Sequence, residues 1–582
     1  MPKNWQVASK LPEEMVAVCS GYSPLLLQLL FNRGLKSITE IEDFFNDSVF
    51  PDDYSKKYDP FLFKDMGAAV ETIINHLKAG QKILVYGDYD ADGVTATVIL
   101  YETLKLLKAE VSFYLPDRVG EGYGLNQKAV EQFIADGYKL IITVDTGTRN
   151  PDEIAYAKKQ GIEVIVTDHH TLPDDPNLIP PCLLINTSNE NDNYPFKFLA
   201  GVGVSFKLIE ALLSRANLDD SQKKLILDRN LDLVAVGTVS DMVKLIGENR
   251  LLVKRGLEVL NNTKRLGLKE LIKAAKIGLN GQRLDSWNIG FQLGPRLNAA
   301  SRLEHANTAL ELLITKDQSE AERLAADLNQ KNIDRQKITE EMMIRVEARI
   351  DKQNIPEIII GLCEIEESSW NEGVIGLVAG RLSEKYYRPA LVITRTADGF
   401  KGSGRSIAEF NLMAAMEETA DYLDKFGGHP MACGFSVFDQ EKLDKFVEKM
   451  KIIAKEKLVG LELKPKLSID AELKMADINL GMLEQIEKLA PYGQANPQPK
   501  FVSYGVLVNE IVNMGTNSQH VKIRLTDSEN RTKSFWAIAF GKSEAYSHLQ
   551  VGDIVDLVYY LEINNFNGRR EGQMKIIDLI KK

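Results

Sequence analysis

Val85-Tyr-Gly-Asp-Tyr-Asp-Ala-Asp-Gly-Val-Thr-Ala-Thr97 is the stretch from which the rest of the chain is read. The apolar run Ile83–Tyr86 reads as a short buried strand, and Gly93 opens a helical pattern running to about Leu107. Between them Asp88, Asp90 and Asp92 stand at alternate positions. Alternate side chains of an extended segment point the same way. Three like charges so placed repel, which raises their pKa values unless a cation neutralises them. Hard carboxylate oxygens suit Mg2+ or Mn2+. A solvated acidic turn is the plainer alternative. An EF-hand calcium loop is another, but the place of its closing Glu, counted from Asp88, is taken by Ile99. A strand before and a helix after suit the switch point of an α/β sheet, and the stretch is read as a divalent-metal site.

A chain of 582 residues exceeds a single core and implies roughly three to five domains. Its 44% apolar and 26% charged residues are ordinary for a globular protein. No apolar run reaches the ~18 residues of a membrane span. Met1-Pro-Lys-Asn-Trp5 lacks the apolar core of a secretory signal, so the expected location is the cytoplasm. Cys19, Cys182, Cys363 and Cys433 form no CxxC pair, which argues against a disulfide frame or a zinc site. A net charge of −11 argues against a bulk polyanion binder. It leaves room for an enzyme whose bound cations and a few arginines take the phosphates.

From about 66 to 240, strand-like runs (Ile83–Tyr86, Val111–Leu115, Leu140–Val144, Val164–Thr167, Leu183–Ile185) alternate with helix-like ones such as Asn126–Asp136 and Pro151–Gln160. This spacing predicts a doubly wound parallel sheet, with its ligand site off the carboxyl ends of the strands. At those ends stand Asp88, Asp90 and Asp92, then Asp145, then Asp168, His169 and His170. The apolar stretch Val234–Ser240 runs into Asp241, expected at the same edge. A lone Asp at a strand end is ordinarily a cap or turn former. Four acidic or imidazole clusters along one sheet edge instead suit a two-metal site, with ions ~3.5–4 Å apart clamping a phosphoryl group. Metal-dependent phosphoester hydrolysis is the expected chemistry.

Outside this sheet, residues 1–65 read as a helical cap on it, and Gly34 stops the run that begins at Pro24. Arg118 lies in a loop with Gly120, Gly122 and Gly124, where a guanidinium is either solvated or a bidentate phosphate clamp. Residues 246–355 are mostly helical. Asp317–Asp351 reads as one connector helix carrying Asn329, Asn332, Arg335 and Gln336. A second α/β pattern covers 356–458, with strands at Glu357–Leu362 and Ala390–Thr394, a helix at Gly373–Tyr386, and Trp370 as core. In it, Lys401-Gly-Ser-Gly-Arg-Ser406 reads as a small-residue loop, either a plain turn or a phosphate cradle built on N–H groups and Arg405. Residues 459–582 change to short alternating runs, Val521–Leu525, Ser534–Phe540, Ile554–Leu561 and Met574–Leu579, which suggest a small barrel such as the OB-fold. Trp536, Phe540, Tyr559, Tyr560 and Phe566, with Lys522, Arg524, Arg569 and Arg570, are either core and surface residues or a stacking platform for a single strand.

Asp168-His169-His170, with the upstream aspartates and Val144-Asp-Thr-Gly between them, resembles the DHH phosphoesterase superfamily. Val85–Ala96, Pro116-Asp-Arg-Val-Gly-Glu-Gly-Tyr-Gly-Leu125 and Leu293-Gly-Pro-Arg-Leu-Asn-Ala-Ala-Ser-Arg-Leu303 are similar to the RecJ family within it, from about residue 20 to the end of the chain. Gly427-Gly-His-Pro-Met-Ala-Cys-Gly434 resembles the hallmark of the DHH-associated (DHHA1) domain. Ser301 departs from the pattern, in which Gly is frequent, and loosens the backbone argument for that turn.

The resemblance implies an α/β protein: a DHH domain at 66–245, a helical connector at 246–355 joining two domains that face each other across a cleft, a DHHA1 domain at 356–458 and an OB-fold barrel at 459–582. It implies a 5′→3′ exonuclease on single-stranded DNA with two divalent ions, Mn2+ or Mg2+, acting in repair and recombination. Asp90, Asp92, Asp145, His169 and Asp241 would be ligands, with Asp145 bridging the ions and Asp88 either a ligand or a supporting group. His170 would contact the scissile phosphate, and Asp168 would orient the histidines. The nucleophile would be a water acidified by the ions. Arg118, Ser403 and Arg405 would hold a 5′-terminal phosphate, His429 a backbone phosphate, and Arg296 and Arg302 would line the cleft or serve as structural ion-pair partners. The implied partners are 5′-phosphorylated single-stranded DNA, a single-strand-binding protein and a RecQ-like helicase, with the enzyme a monomer away from membranes. Competing expectations are a hydrolase of short oligoribonucleotides or cyclic dinucleotides, and a relative that binds DNA without cutting it.

Overall fold

In the computed structural model of the chain, Ile83–Gly87 forms a strand (β1) buried along its whole length. The structure describes residues 3–19, 21–45, 58–278, 281–363, 369–527, 533–566 and 569–582. β1 lies inside a parallel sheet with β2 (Val111–Tyr114), β3 (Leu140–Val144), β4 (Glu163–Asp168) and β5 (Leu183–Asn186), in the order β2-β1-β3-β4-β5. The central strands are apolar without alternation because helices cover both faces of such a sheet. Leu84, Tyr86, Phe133, Ile141, Ile154, Val164 and Val166 share one core. Three helices, α1 (Ala91–Leu106), α2 (Gly201–Arg215) and α3 (Asp220–Ser240), pack on one another, and α1 is buried almost all round.

Two expectations change here. Asp88, Asp90 and Asp92 are not a row on an extended segment: Asp88 follows the strand, Asp90 is the N-cap of α1, and Asp92 lies in its first turn. Asp241 ends a helix, not a strand, as the C-cap of α3. The run Leu231–Thr238 is buried without a break, so its sequence lacks the one-sided pattern that marks a helix.

The connector includes α4 (Gly294–Leu303) and the 30-residue α5 (Gln318–Glu347). Ser301 is buried within α4, so it occupies a helix where a turn was expected. The second sheet has the order β9-β10-β8-β7-β6, from β6 (Ile359–Leu362), β7 (Ala390–Thr396), β8 (Gly399–Arg405), β9 (Lys425–His429) and β10 (Ala432–Val437). Between β6 and β7 runs α6 (Glu372–Tyr386), and Trp370 is core, as expected. Most of the stretch read as a loop, through Arg405, belongs to strand β8. Gly402 and Gly404 lie against Phe435 and Leu412, while Ser403 and Arg405 alternate to the opposite face.

The chain divides into two compact units, residues 50–243 with 255–464, and residues 2–49 with 244–254 and 465–582. The second unit holds the barrel. Its strands β11 (Lys500–Met514), β12 (His520–Asp527), β13 (Ser534–Ala539), β14 (Ile554–Phe566) and β15 (Arg569–Lys581) close through β11 and β14. Several are longer than the runs read from sequence, and β11 was not read at all. The N-terminal segment belongs to this unit instead of capping the first sheet. Leu26, Leu27, Leu29 and Leu30 share a core with Val506, Ile523 and Leu557. Asn4–Val7 is a strand paired in parallel with Lys466–Ile469 where only helix was expected. No helix among the described residues is long and apolar enough to cross a membrane.

Candidate metal centre

The carboxyl edge of the first sheet gathers Asp88, Asp90, Asp92, Asp145, His169, His170 and Asp241. Ligand atoms of Asp88, Asp90 and Asp145 lie within 4.8 Å of one another, as do those of Asp92, His169 and Asp241, and those of Asp145, His169 and His170. Asp145 thus belongs to two of the three groups. At about 4 Å and an effective dielectric near 20, each ionised carboxylate pair costs roughly 4 kcal/mol. Several such pairs rival the roughly 5–15 kcal/mol that holds a protein folded. Burial first, then neighbouring carboxylates, push Asp88, Asp145 and Asp241 well above the usual carboxyl range. The same causes push Asp92 up to about 7. Oδ1 of Asp88, Oδ1 of Asp145 and Nε2 of His169 are buried with no hydrogen-bond partner. Crowded anionic oxygens and an orphaned imidazole nitrogen fit a pair of hard divalent cations.

Local backbone sets these side chains. Asp90 Oδ1 accepts hydrogen bonds from the N–H groups of Asp92 and Gly93, at 2.9 and 3.1 Å. Gly93 is required because a Cβ there would strike the backbone of Asp88. The carboxylate of Asp92 accepts from the amides of Gly201 and Val202 at 2.7 and 3.0 Å, at the electropositive start of α2. A Cβ on Gly201 would run into the carboxylate of Asp145. Asp145 itself sits at φ 61°, a left-handed conformation held by the surrounding structure.

Asp168 is buried and folds back on the residues after it. Its Oδ1 accepts from the His169 amide at 2.7 Å and lies 2.8 Å from His170 Nδ1. Burial alone would raise the Asp168 carboxyl, but the bond and charge of His170, helped by His169 and Thr148, hold it below the usual range. Burial also lowers His170, yet Asp168 and then Asp88 and Asp90 raise it more, and it stands above the ordinary value. Burial and the His170 charge hold His169 down to about 4. With Nδ1 of His170 engaged, Nε2 is the nitrogen left for a substrate, and the side chain is 40% exposed.

Arg118, Arg335 and Arg405 each lie close enough to Arg302 to act on it electrostatically. Burial first, then Arg118 and Arg335, bring Arg302 down to about 9, and Arg405 adds to this. Arg302 Nη1 donates to Gly373 O at 2.8 Å, while its Nε is buried without a partner. Arg118 stacks over the ring of Tyr89 at 4.8 Å. Arg405 Nη1 lies 3.4 Å from Ser403 Oγ. His429 is exposed and shares a cross-strand row with Ala432 and Arg405, roughly 10 Å from the latter across two strand spacings. Arg296 turns to Asn329 Oδ1 at 3.0 Å and Gln292 O at 2.8 Å.

Sequence reasoning missed Asn298, whose Oδ1 accepts from the Ala91 amide at 2.7 Å, and Tyr123, whose hydroxyl lies 3.1 Å from His170 Nδ1. Both stand inside motifs quoted above, where attention fell on charged residues. In the barrel, Tyr559 is core, Phe540 is 55% exposed, and Lys522 Nζ lies 4.3 Å from the Trp536 ring centre. The side chains of Phe566 and Arg569 lie outside the described residues.

A parallel sheet with this edge, a mixed second sheet bearing a Gly-Gly-His hairpin, and a closed five-stranded barrel define a DHH phosphoesterase with DHHA1 and OB domains. Family models agree: a DHH family N-terminal domain matches residues 82–238, a DHHA1 domain 356–456, and a RecJ OB domain 469–578. The chain is 37% identical over 563 residues to the single-stranded-DNA-specific exonuclease RecJ of Bacillus subtilis, covering 96% of this chain and 68% of that protein. It is 33% identical to the Escherichia coli protein of the same name, covering 100% of both. The crystal structure of RecJ with Mn2+ from Thermus thermophilus superposes with a TM-score of 0.80 at 28% identity, covering 100% of this chain and 80% of that one. The same protein has been solved with Mg2+. The chain belongs to the RecJ family.

Proposed function

We propose that the chain is a two-metal exonuclease that hydrolyses single-stranded DNA from a 5′-phosphorylated end to mononucleotides, in repair and recombination. The observation that carries this is the buried cluster of carboxylates and His169, with orphaned ligand atoms, in the same unit as the Arg302 group. The relatives' names supply single-stranded DNA as substrate. Asp88, Asp90, Asp92, Asp145, His169 and Asp241 would hold two divalent cations, Mn2+ or Mg2+, with Asp145 shared between them. When bound, such cations acidify a water and offset the charge that develops on the phosphoryl oxygens.

The chain's own groups do the rest. Asp168 fixes the ring of His170 through Nδ1 so that Nε2 meets the scissile phosphate. Arg118, Arg302, Ser403 and Arg405 grip the terminal phosphate, for which guanidinium groups supply paired donors. His429 takes a neighbouring backbone phosphate, and Arg296 follows the strand beyond. This sets polarity, since only an end carrying a phosphate fills the arginine group while the next linkage reaches the cations. The barrel, with Lys522 and Arg524 both over the ring of Trp536, holds the incoming strand by stacking and charge. A monomer in the cytoplasm, working with a single-strand-binding protein and a RecQ-like helicase, completes the reading.

Mn2+-dependent digestion of matched single-stranded, duplex, 5′-hydroxyl and RNA substrates, with a dinucleotide alongside, tests it. The 5′-phosphorylated single strand should be consumed fastest, with mononucleotides released. Consumption of a dinucleotide alone would replace this reading with that of a small-substrate hydrolase.

A further inference from the structure

The start of α1 is capped from two sources. The first N–H groups of a helix have no partner inside it. Asp90 accepts those of Asp92 and Gly93 with its side chain, while its carbonyl takes the first bond of the helix's own ladder, from Val94 N–H at 2.8 Å. The N–H of Ala91, the first residue of the helix, is buried and donates to Asn298 Oδ1 at 2.7 Å. Ala91 stands between Asp90 and Asp92, so the acceptor that fixes it fixes the register of both.

Asn298 comes from α4, one turn before Arg302 and on the same face. Arg302 donates to Gly373 O, and Gly373 packs so close that a Cβ there would strike the Arg302 carbonyl. One turn along α6, Gly376 lies against Ser403 and Arg405. A single turn of α4 therefore touches the carboxylate loop with Asn298 and the arginine group with Arg302.

We propose that Asn298 is a positioning residue for the cation site, through which α4 ties the placement of the strand's 5′ end to that of the carboxylate loop. This rests on the reading of Asp90, Asp92 and Asp145 as cation ligands.

The test uses the full chain with Asn298→Leu, which fills the same space without an acceptor, and Asn298→Asp, which restores one. Mn2+ binding is read from the electron paramagnetic resonance of the free ion in the absence of DNA, and cleavage separately. Thermal melts without metal check folding. Loss of a group that orients a metal-binding segment costs about 10–100-fold in metal affinity, and Asn298→Leu is expected to lose that much. It should also lower kcat while leaving KM for 5′-phosphorylated single strands nearly unchanged. Asn298→Asp should recover Mn2+ affinity. Wild-type Mn2+ binding by Asn298→Leu, or equal losses in both variants, would overturn the inference. Asp145→Ala serves as the reference. If it too binds Mn2+ normally, the metal-centre reading fails. If it loses Mn2+ while Asn298→Leu keeps it, only the positioning role fails.

Discussion

His169 Nε2 lies 3.1 Å from Asp145 Oδ1; both atoms are buried, and neither makes a hydrogen bond. Asp241 Oδ2 stands 3.5 Å from the same nitrogen. A buried nitrogen that faces two carboxylates without bonding either is arranged for a third body between them. Buried polar atoms without partners are otherwise rare and costly. A cation satisfies all three at once and removes the repulsion among the carboxylates.

Metal removal should therefore be felt through pH. Carboxyls raised in the folded state carry no penalty below their unfolded value near 4 and lose stability as pH rises through their folded values. For Asp92 that value is about 7, and Asp88, Asp145 and Asp241 are raised as well. The raised His170 acts in the same direction, whereas His169, held down to about 4, opposes it. With more groups raised than lowered, chelator-treated protein should melt lower at pH 8 than at pH 6, and added Mn2+ should raise the melting temperature more at pH 8. An equal Mn2+ effect at both values would contradict this.

Arg302→Ala removes a largely buried guanidinium at the proposed terminal-phosphate site. A hydrogen bond to a charged group contributes about 1.5–3 kcal/mol, so KM for 5′-phosphorylated strands should rise about 10–100-fold. Steady-state kinetics on 5′-hydroxyl strands should change far less. Equal losses on both ends would assign Arg302 to the backbone instead.

Asp168→Asn leaves the shape and takes away the charge that orients His170. The expected loss is about 10²-fold in kcat with KM little altered. A change in KM alone would place His170 in binding and not in the chemical step.

Gly201→Ala tests the packing under the centre. The added methyl meets the Asp145 carboxylate, and overpacking of this kind costs about 1–3 kcal/mol. Chemical denaturation should show that loss together with weaker Mn2+ binding, whereas a methyl absorbed without either would show that Asp145 has room to move.

The first sheet was legible because its strands are short runs rich in apolar residues, three of them ending in carboxylates or histidines, and the edge rule then placed Asp145 and His169 with Asp88–Asp92. Asp241 was found for the wrong reason. Its helix is buried on all sides in the middle and so has no periodic signature. The 401–406 stretch looked like a loop because its glycines are made necessary by Phe435 and Leu412, which come from other parts of the chain. Asn298 was invisible as a functional residue because its role is a hydrogen bond to a backbone amide over 200 positions away. The N-terminal strand and its place with the barrel depend on a partner at 466–469, which no local pattern announces.

Asp145 is the carboxylate, as His169 is the imidazole, that belongs to two of the three ligand groups, and the two-metal assignment depends on it directly. The most direct measurement is Mn2+-dependent release of mononucleotides from a 5′-phosphorylated single strand by wild type and Asp145→Ala, with thermal melts to show that both are folded. Loss of transition-state charge stabilisation predicts a fall of roughly 10²–10³-fold. Near-normal cleavage by Asp145→Ala would contradict the two-metal assignment.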